Sequence, residues 1–157
     1  MLNPLKEVEY GGRAAEKYLE EAEHFLSAGS WRAAVASAQL AAENAAKAVI
    51  AVYHLPSWTH DPSDELMSLL PQLPRGLRHE ARELAEIASA LAPEHARSTY
   101  GEPSRGLLPW EIYTRRDAEE AVERARRAVS LMRYMLERLR VGFSDAEGAE
   151  VRRQEDR

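Results

Sequence analysis

The sequence predicts an all-α bundle of four long helices plus one short helix. Three observations carry that expectation. Residues 31–53, WRAAVASAQLAAENAAKAVIAVY, contain neither Gly nor Pro and are dominated by alanine, the strongest helix former. Further stretches repeat apolar residues at three and four, with charge on the opposite side. No alternating β-branched run, internal repeat or low-complexity block is present apart from the alanine-rich stretch.

The 157 residues suffice for one domain with a real core, and 45% apolar with 30% charged residues is a globular composition. The cysteine count is zero, which excludes disulfides, thiolate metal sites and a cysteine nucleophile and suits a cytoplasmic protein. No apolar run reaches the ~18 residues of a membrane span, and the N-terminus lacks the pattern of a signal peptide. A net charge of −5 argues against non-specific coating of nucleic acid.

Taken in order, Asn3-Pro4 reads as an N-cap with proline at the first helical position, and Gly11-Gly12 as an interruption. From Arg13 onward, Ala15, Tyr18, Leu19, Ala22, Phe25 and Leu26 share one face. Gly29 suits the end of that helix and Ser30 the cap of the next; so short a link forces an antiparallel pair. The second helix is apolar nearly all round and therefore central. Asp61 or Ser63 would cap a short third helix ended by Pro71 and Pro74. Leu77, Ala81, Leu84, Ala88 and Leu91 mark a fourth, stopping before Pro93. Residues 93–114 hold three prolines and two glycines and read as a long loop. Thr114 with Asp117 resembles a capping box for the last helix, whose inner face runs from Ala118 to Leu139. Residues 1–141 thus form a single domain, and residues 142–157, with little to bury, a disordered charged tail.

The central helix carries Gln39, Glu43 and Lys47 at intervals of four, a narrow polar stripe on an apolar cylinder. It is either a helix edge with one favourable Glu43–Lys47 pair or a seam facing a partner subunit or ligand.

In sequence, LEEAEHFLSAG, Trp31, AQLAAENAAKAVIA with its Gln39/Glu43/Lys47 stripe, Thr59-His60-Asp61, and a late loop with Arg97 and Tyr100 follow one another. In this order they resemble HEPN domains (higher eukaryotes and prokaryotes nucleotide-binding), over roughly residues 13–140. The resemblance implies an up-and-down helical bundle, usually homodimeric, whose members are commonly companions of small nucleotidyltransferases, in toxin–antitoxin or defence-like pairs. Some members are metal-independent ribonucleases with arginine and histidine separated by four to six residues. That spacing is missing here: Arg75 and His79 are one residue too close, and no arginine serves His95.

The candidate ligand-binding or dimer-cleft residues are Gln39, Glu43, Lys47, His60, Asp61, Arg97 and Tyr100. Arg97 offers a phosphate a bidentate contact and Tyr100 offers a base a stacking face; the alternative is a loop pinned to the bundle by an Arg–Glu pair. His60 beside Asp61 suits an oriented base, or Asp61 simply closes a turn before Pro62. Nothing fixes His54, His60 and Asp61 as metal ligands, so no metal or cofactor is expected. Trp58 and Trp110, in loops, suit an interface or lids on the bundle. The arginines of the last helix are diluted by Glu119, Glu120, Glu123 and Glu137. Two functions follow: a non-catalytic nucleotide- or RNA-binding module, homodimeric and accessory to a nucleotidyltransferase, or a metal-independent endoribonuclease using Arg97 with His60 or His95.

Overall fold

The computed structural model describes residues 4–139. The helices are α1 (Pro4–Ser27), α2 (Trp31–Ala51), α3 (Ser63–Ser68), α4 (Arg78–Leu91), α5 (Glu94–Tyr100), α6 (Pro109–Ile112) and α7 (Arg115–Arg138), with 3₁₀ turns at Arg75–Leu77 and Pro103–Arg105. Among the described residues there is no β-strand, only an isolated bridge between Glu102 and Leu107, and no helix is long and apolar enough to cross a membrane. The expected cap at Asn3 and the tail, 142–157, lie outside the described residues.

Alanine explains the position of α2. It contacts all six other α-helices, which its short side chains allow to approach closely. Ala34, Ala38, Ala41, Ala42, Ala45, Ala46 and Ala48 are fully buried. Around it, α1, α4 and α7 supply Val8, Leu84, Val122, Met132, Met135 and Leu136 to one continuous core.

Gly11-Gly12 do not interrupt α1, as the sequence suggests. A Cβ built on Gly11 would stand 3.3 Å from the Cα of Ala48, so its missing side chain lets α1 lie against α2. The packing outweighs the ~1 kcal/mol helix penalty of a glycine. Residues 93–114 are likewise not a structureless loop. They fold into α5, a 3₁₀ turn and α6, and Gly101, at φ +74°, makes the bend that no L side chain takes comfortably. Two helices this short have too few residues for an apolar period to show in the sequence.

The helix ends are more faithful to the sequence. Thr114 Oγ1 accepts from the Asp117 backbone N–H at 3.2 Å while the Thr114 N–H donates to Asp117 Oδ2 at 2.9 Å, a reciprocal capping box. Gly29 takes a φ of +74° where α1 turns into α2. Ser30 occupies the cap position of α2, but its hydroxyl makes no capping bond.

Candidate functional site

The four-residue interval along α2 places Gln39, Glu43 and Lys47 in one row, and the row is internally bonded. Gln39 Nε2 donates to Glu43 Oε2 and Lys47 Nζ donates to Glu43 Oε1, each at 2.9 Å. Gln39 is 1% exposed and Glu43 6%. Polar groups so deeply buried are tolerated because each has a partner.

Two histidines from elsewhere in the chain close over this row. His60 comes from the segment between α2 and α3, and His95 from the first turn of α5. His60 Nδ1 stands 3.4 Å from both Glu43 carboxylate oxygens. His95 Nδ1 lies 3.1 Å from Gln39 Oε1. Because the Gln39 amide nitrogen is committed to Glu43, its oxygen must accept, so His95 Nδ1 carries the proton. The two imidazoles stack face to face, with centroids 3.6 Å apart and planes 16° from parallel. Neither Nε2 has a hydrogen-bond partner among the described residues.

The electrostatics favour an ionised Glu43. Burial pushes its carboxyl up, but the hydrogen bonds from Lys47 and Gln39 and the charges of Lys47 and His60 outweigh burial and hold its pKa below 4.5. The carboxylate and the Lys47 ammonium form an ion pair at 2.9 Å.

Glu43, His60 and His95 each offer a ligand atom within 4.8 Å of the others. Their geometry does not form a ready metal centre. A bound ion lies in the plane of each imidazole at about 2.0–2.1 Å from nitrogen, and two nearly parallel planes 3.6 Å apart do not meet there. Lys47 also holds one Glu43 oxygen.

Beside His60 opens a cleft of about 470 Å³. Glu7, Tyr10 and Gly11 of α1 line one side, Asn44 and Lys47 of α2 the other, and residues 55–60 the mouth. Trp58 is fully exposed there, and Tyr10 and Leu55 are more than half exposed.

Three of the expected site residues stand apart from the cluster. Asp61 Oδ1 accepts from the Ser63 N–H at 3.1 Å, at the start of α3, and its own N–H donates to Thr59 Oγ1. Arg97 donates to Glu102 through Nε at 3.0 Å and Nη2 at 2.8 Å, and to Glu94 through Nη1 at 2.7 Å. It also sits 5.6 Å over the ring of Tyr113, whose hydroxyl donates to Glu94 at 2.6 Å. The hydrogen bonds to Arg97 and Arg105 hold the Glu102 carboxyl below the usual range, and burial with the Glu94 carboxylate pushes the Tyr113 hydroxyl up. Tyr100 is exposed at the end of α5. On α7, Arg126 pairs with Glu23, Arg127 with Glu83 and Arg133 with Glu16, tying the helix to α1 and α4.

The structure therefore gathers Gln39, Glu43, Lys47 and His60, and adds His95, Tyr10 and Glu7. In sequence, His95 stands out only as a partner for Arg97 in the ribonuclease alternative. Tyr10 and Glu7 carry no sequence signal beyond their turn in a helix that Gly11-Gly12 suggest is interrupted.

A family model for the HEPN domain matches residues 8–135. Two crystal structures are similar in fold. One is TT1696 from Thermus thermophilus, at 25% identity and a TM-score of 0.64, covering 82% of this chain and 98% of that one. The other is ST0689, an archaeal HEPN homologue, at 28% identity and a TM-score of 0.59, covering 80% and 94%. No curated protein matches the chain.

Proposed function

Because the chain belongs to the HEPN domain family, we propose that it is a non-catalytic module binding a nucleotide or RNA through a phosphate at Lys47, His60 and His95. One observation carries this reading: Glu43 faces His60 Nδ1 and Gln39 holds His95 Nδ1, while both Nε2 atoms lack partners among the described residues. Two imidazolium groups beside an ammonium would bind a phosphate by charge-assisted hydrogen bonds. The buried carboxylate behind them fixes ring orientation.

In the same proposal the module works as a homodimer beside a small nucleotidyltransferase, in a toxin–antitoxin or defence-like pair. The support for these partners is the family resemblance. Gln39 and Glu43, already covered within the single chain, would support such a dimer from behind and not at its surface. Native mass spectrometry of protein purified gently from its own cells tests the reading. A dimer carrying nucleotide, RNA or a nucleotidyltransferase is the expected result. A bare monomer that also fails to bind added nucleotide or RNA in calorimetry would sink it.

A second reading, a metal-independent endoribonuclease, is favoured by the Glu43–His60 pair with a second imidazole beside it. Such a set supplies an oriented base and a nearby acid. Arg97, engaged by two glutamates, would have no part in it. Cleavage of RNA in excess chelator, abolished in the His60→Ala, His95→Ala double variant, would establish this reading instead.

A further inference from the structure

We infer that the cleft beside His60 receives one unpaired nucleobase, guanine by preference, stacked against Trp58 and Tyr10. This rests on the phosphate reading of Lys47 and His60 given above. The volume of about 470 Å³ lies within the ordinary range for small-molecule sites. Trp58 and Tyr10 present aromatic surface to it from opposite elements, the segment after α2 and the helix α1. Every base has a face that stacks on an aromatic ring, and a base still paired in a duplex has none to offer at such a site.

The polar groups of the cleft select among bases. Glu7 lines it and makes no hydrogen bond or ion pair among the described residues. Asn44 gives one of its two amide N–H groups to the Leu40 carbonyl at 2.8 Å and so offers the ligand both a donor and an acceptor. The Glu7 carboxylate, an acceptor only, calls for donors on the ligand. Guanine alone presents two adjacent donors, the ring N1–H and the 2-amino group, which match the two oxygens of a carboxylate. Uracil offers one donor between two carbonyls and would set an oxygen against Glu7. A site built around such acceptors discriminates strongly against a ligand that leaves them unpaired.

Gly11 meets Ala48 where α1 and α2 touch, and Lys47 adjoins that level. Glu7 is one turn away along α1, about 6 Å. Within the inference, Glu7 takes the base edge while Lys47 and His60 take the phosphate.

Calorimetry with GMP, UMP and inorganic phosphate tests this on the full chain, with Trp58→Ala and Glu7→Gln as variants. Both residues are outside the core, and circular dichroism checks that the variants fold. Wild type should bind GMP about tenfold more tightly than UMP. Trp58→Ala should weaken GMP about tenfold and leave inorganic phosphate unchanged. Glu7→Gln should abolish the preference for GMP. Short single-stranded RNAs, one containing guanine and one only uracil, show whether the base comes from a free nucleotide or a strand. Equal affinities for GMP and UMP, with phosphate still bound, would overturn the base site and leave the phosphate site standing. Loss of all three ligands and both RNAs would remove the phosphate site itself. A Trp58→Ala variant that only dissociates a dimer would overturn the inference by making the cleft an interface.

Discussion

His60 and His95, from separate elements, stack with their ring centroids 3.6 Å apart above the Gln39–Glu43 hydrogen bond. His60 is exposed, so its replacement tests the site and not the fold. His60→Ala should lower nucleotide affinity about threefold to tenfold at pH 6 and leave the melting temperature nearly unchanged, whereas His95→Ala should lower affinity similarly and also cost about 1 kcal/mol, because buried Gln39 Oε1 loses its donor. Paired calorimetry and thermal scans check this; a large drop in melting temperature would mean that the pair is structural.

Glu43→Ala should behave differently. It removes a buried carboxylate and leaves Gln39 and Lys47 without their acceptor. A loss of about 2–3 kcal/mol is expected, because an unpaired buried donor costs its desolvation. Glu43→Gln, which keeps an acceptor oxygen, should recover part of that loss. Urea unfolding of both variants, with ultracentrifugation for any dimer, supplies the comparison.

The depressed Glu43 pKa predicts a stability dependence on acid. A carboxyl whose folded pKa lies below its unfolded value contributes stability that is fully present above about pH 4.5. That contribution is lost as pH falls through the folded value. Lys47→Met removes the largest lowering influence, so its acid-unfolding midpoint should move to higher pH than wild type. Fluorescence-monitored acid titration of the two proteins would show the shift; superimposed curves would contradict it.

Gly11→Ala is expected to destabilise the protein by about 1 kcal/mol, although alanine is the better helix former. The added methyl would press on the backbone of Ala48, which is buried and cannot give as a flexible side chain would. Because Gly11 also lines the cleft, nucleotide affinity should fall with it. Stabilisation in a thermal melt would show that α1 and α2 separate easily.

Arg97→Ala separates structure from binding. The variant should lose about 1 kcal/mol, since Arg97 joins Glu94 and Glu102 and covers Tyr113. Nucleotide affinity should stay at the wild-type value. A strong loss of binding with an unchanged melting temperature would return Arg97 to the site.

The long helices, the central position of α2, the capping box of α7 and the polar row on α2 are all legible in the amino-acid sequence. Each follows from chemistry within a few residues: alanine content, the apolar repeat, a Thr and Asp three apart, or polar side chains every four. That Gly11 forms a packing contact is settled only by the folded chain, because a glycine is chosen there by Ala48 across the helix pair and not by its neighbours in sequence. The same holds for His95, which joins His60 while Arg97, two residues on, turns to Glu94 and Glu102. Residues two apart on a helix point to different sides, and whether residues 93–114 held a helix at all depended on docking against α2, where Arg32 donates to the Ser98 carbonyl at 2.8 Å. A cleft between two helices and a connecting segment has no counterpart in local sequence, since its walls come from positions that only packing brings together.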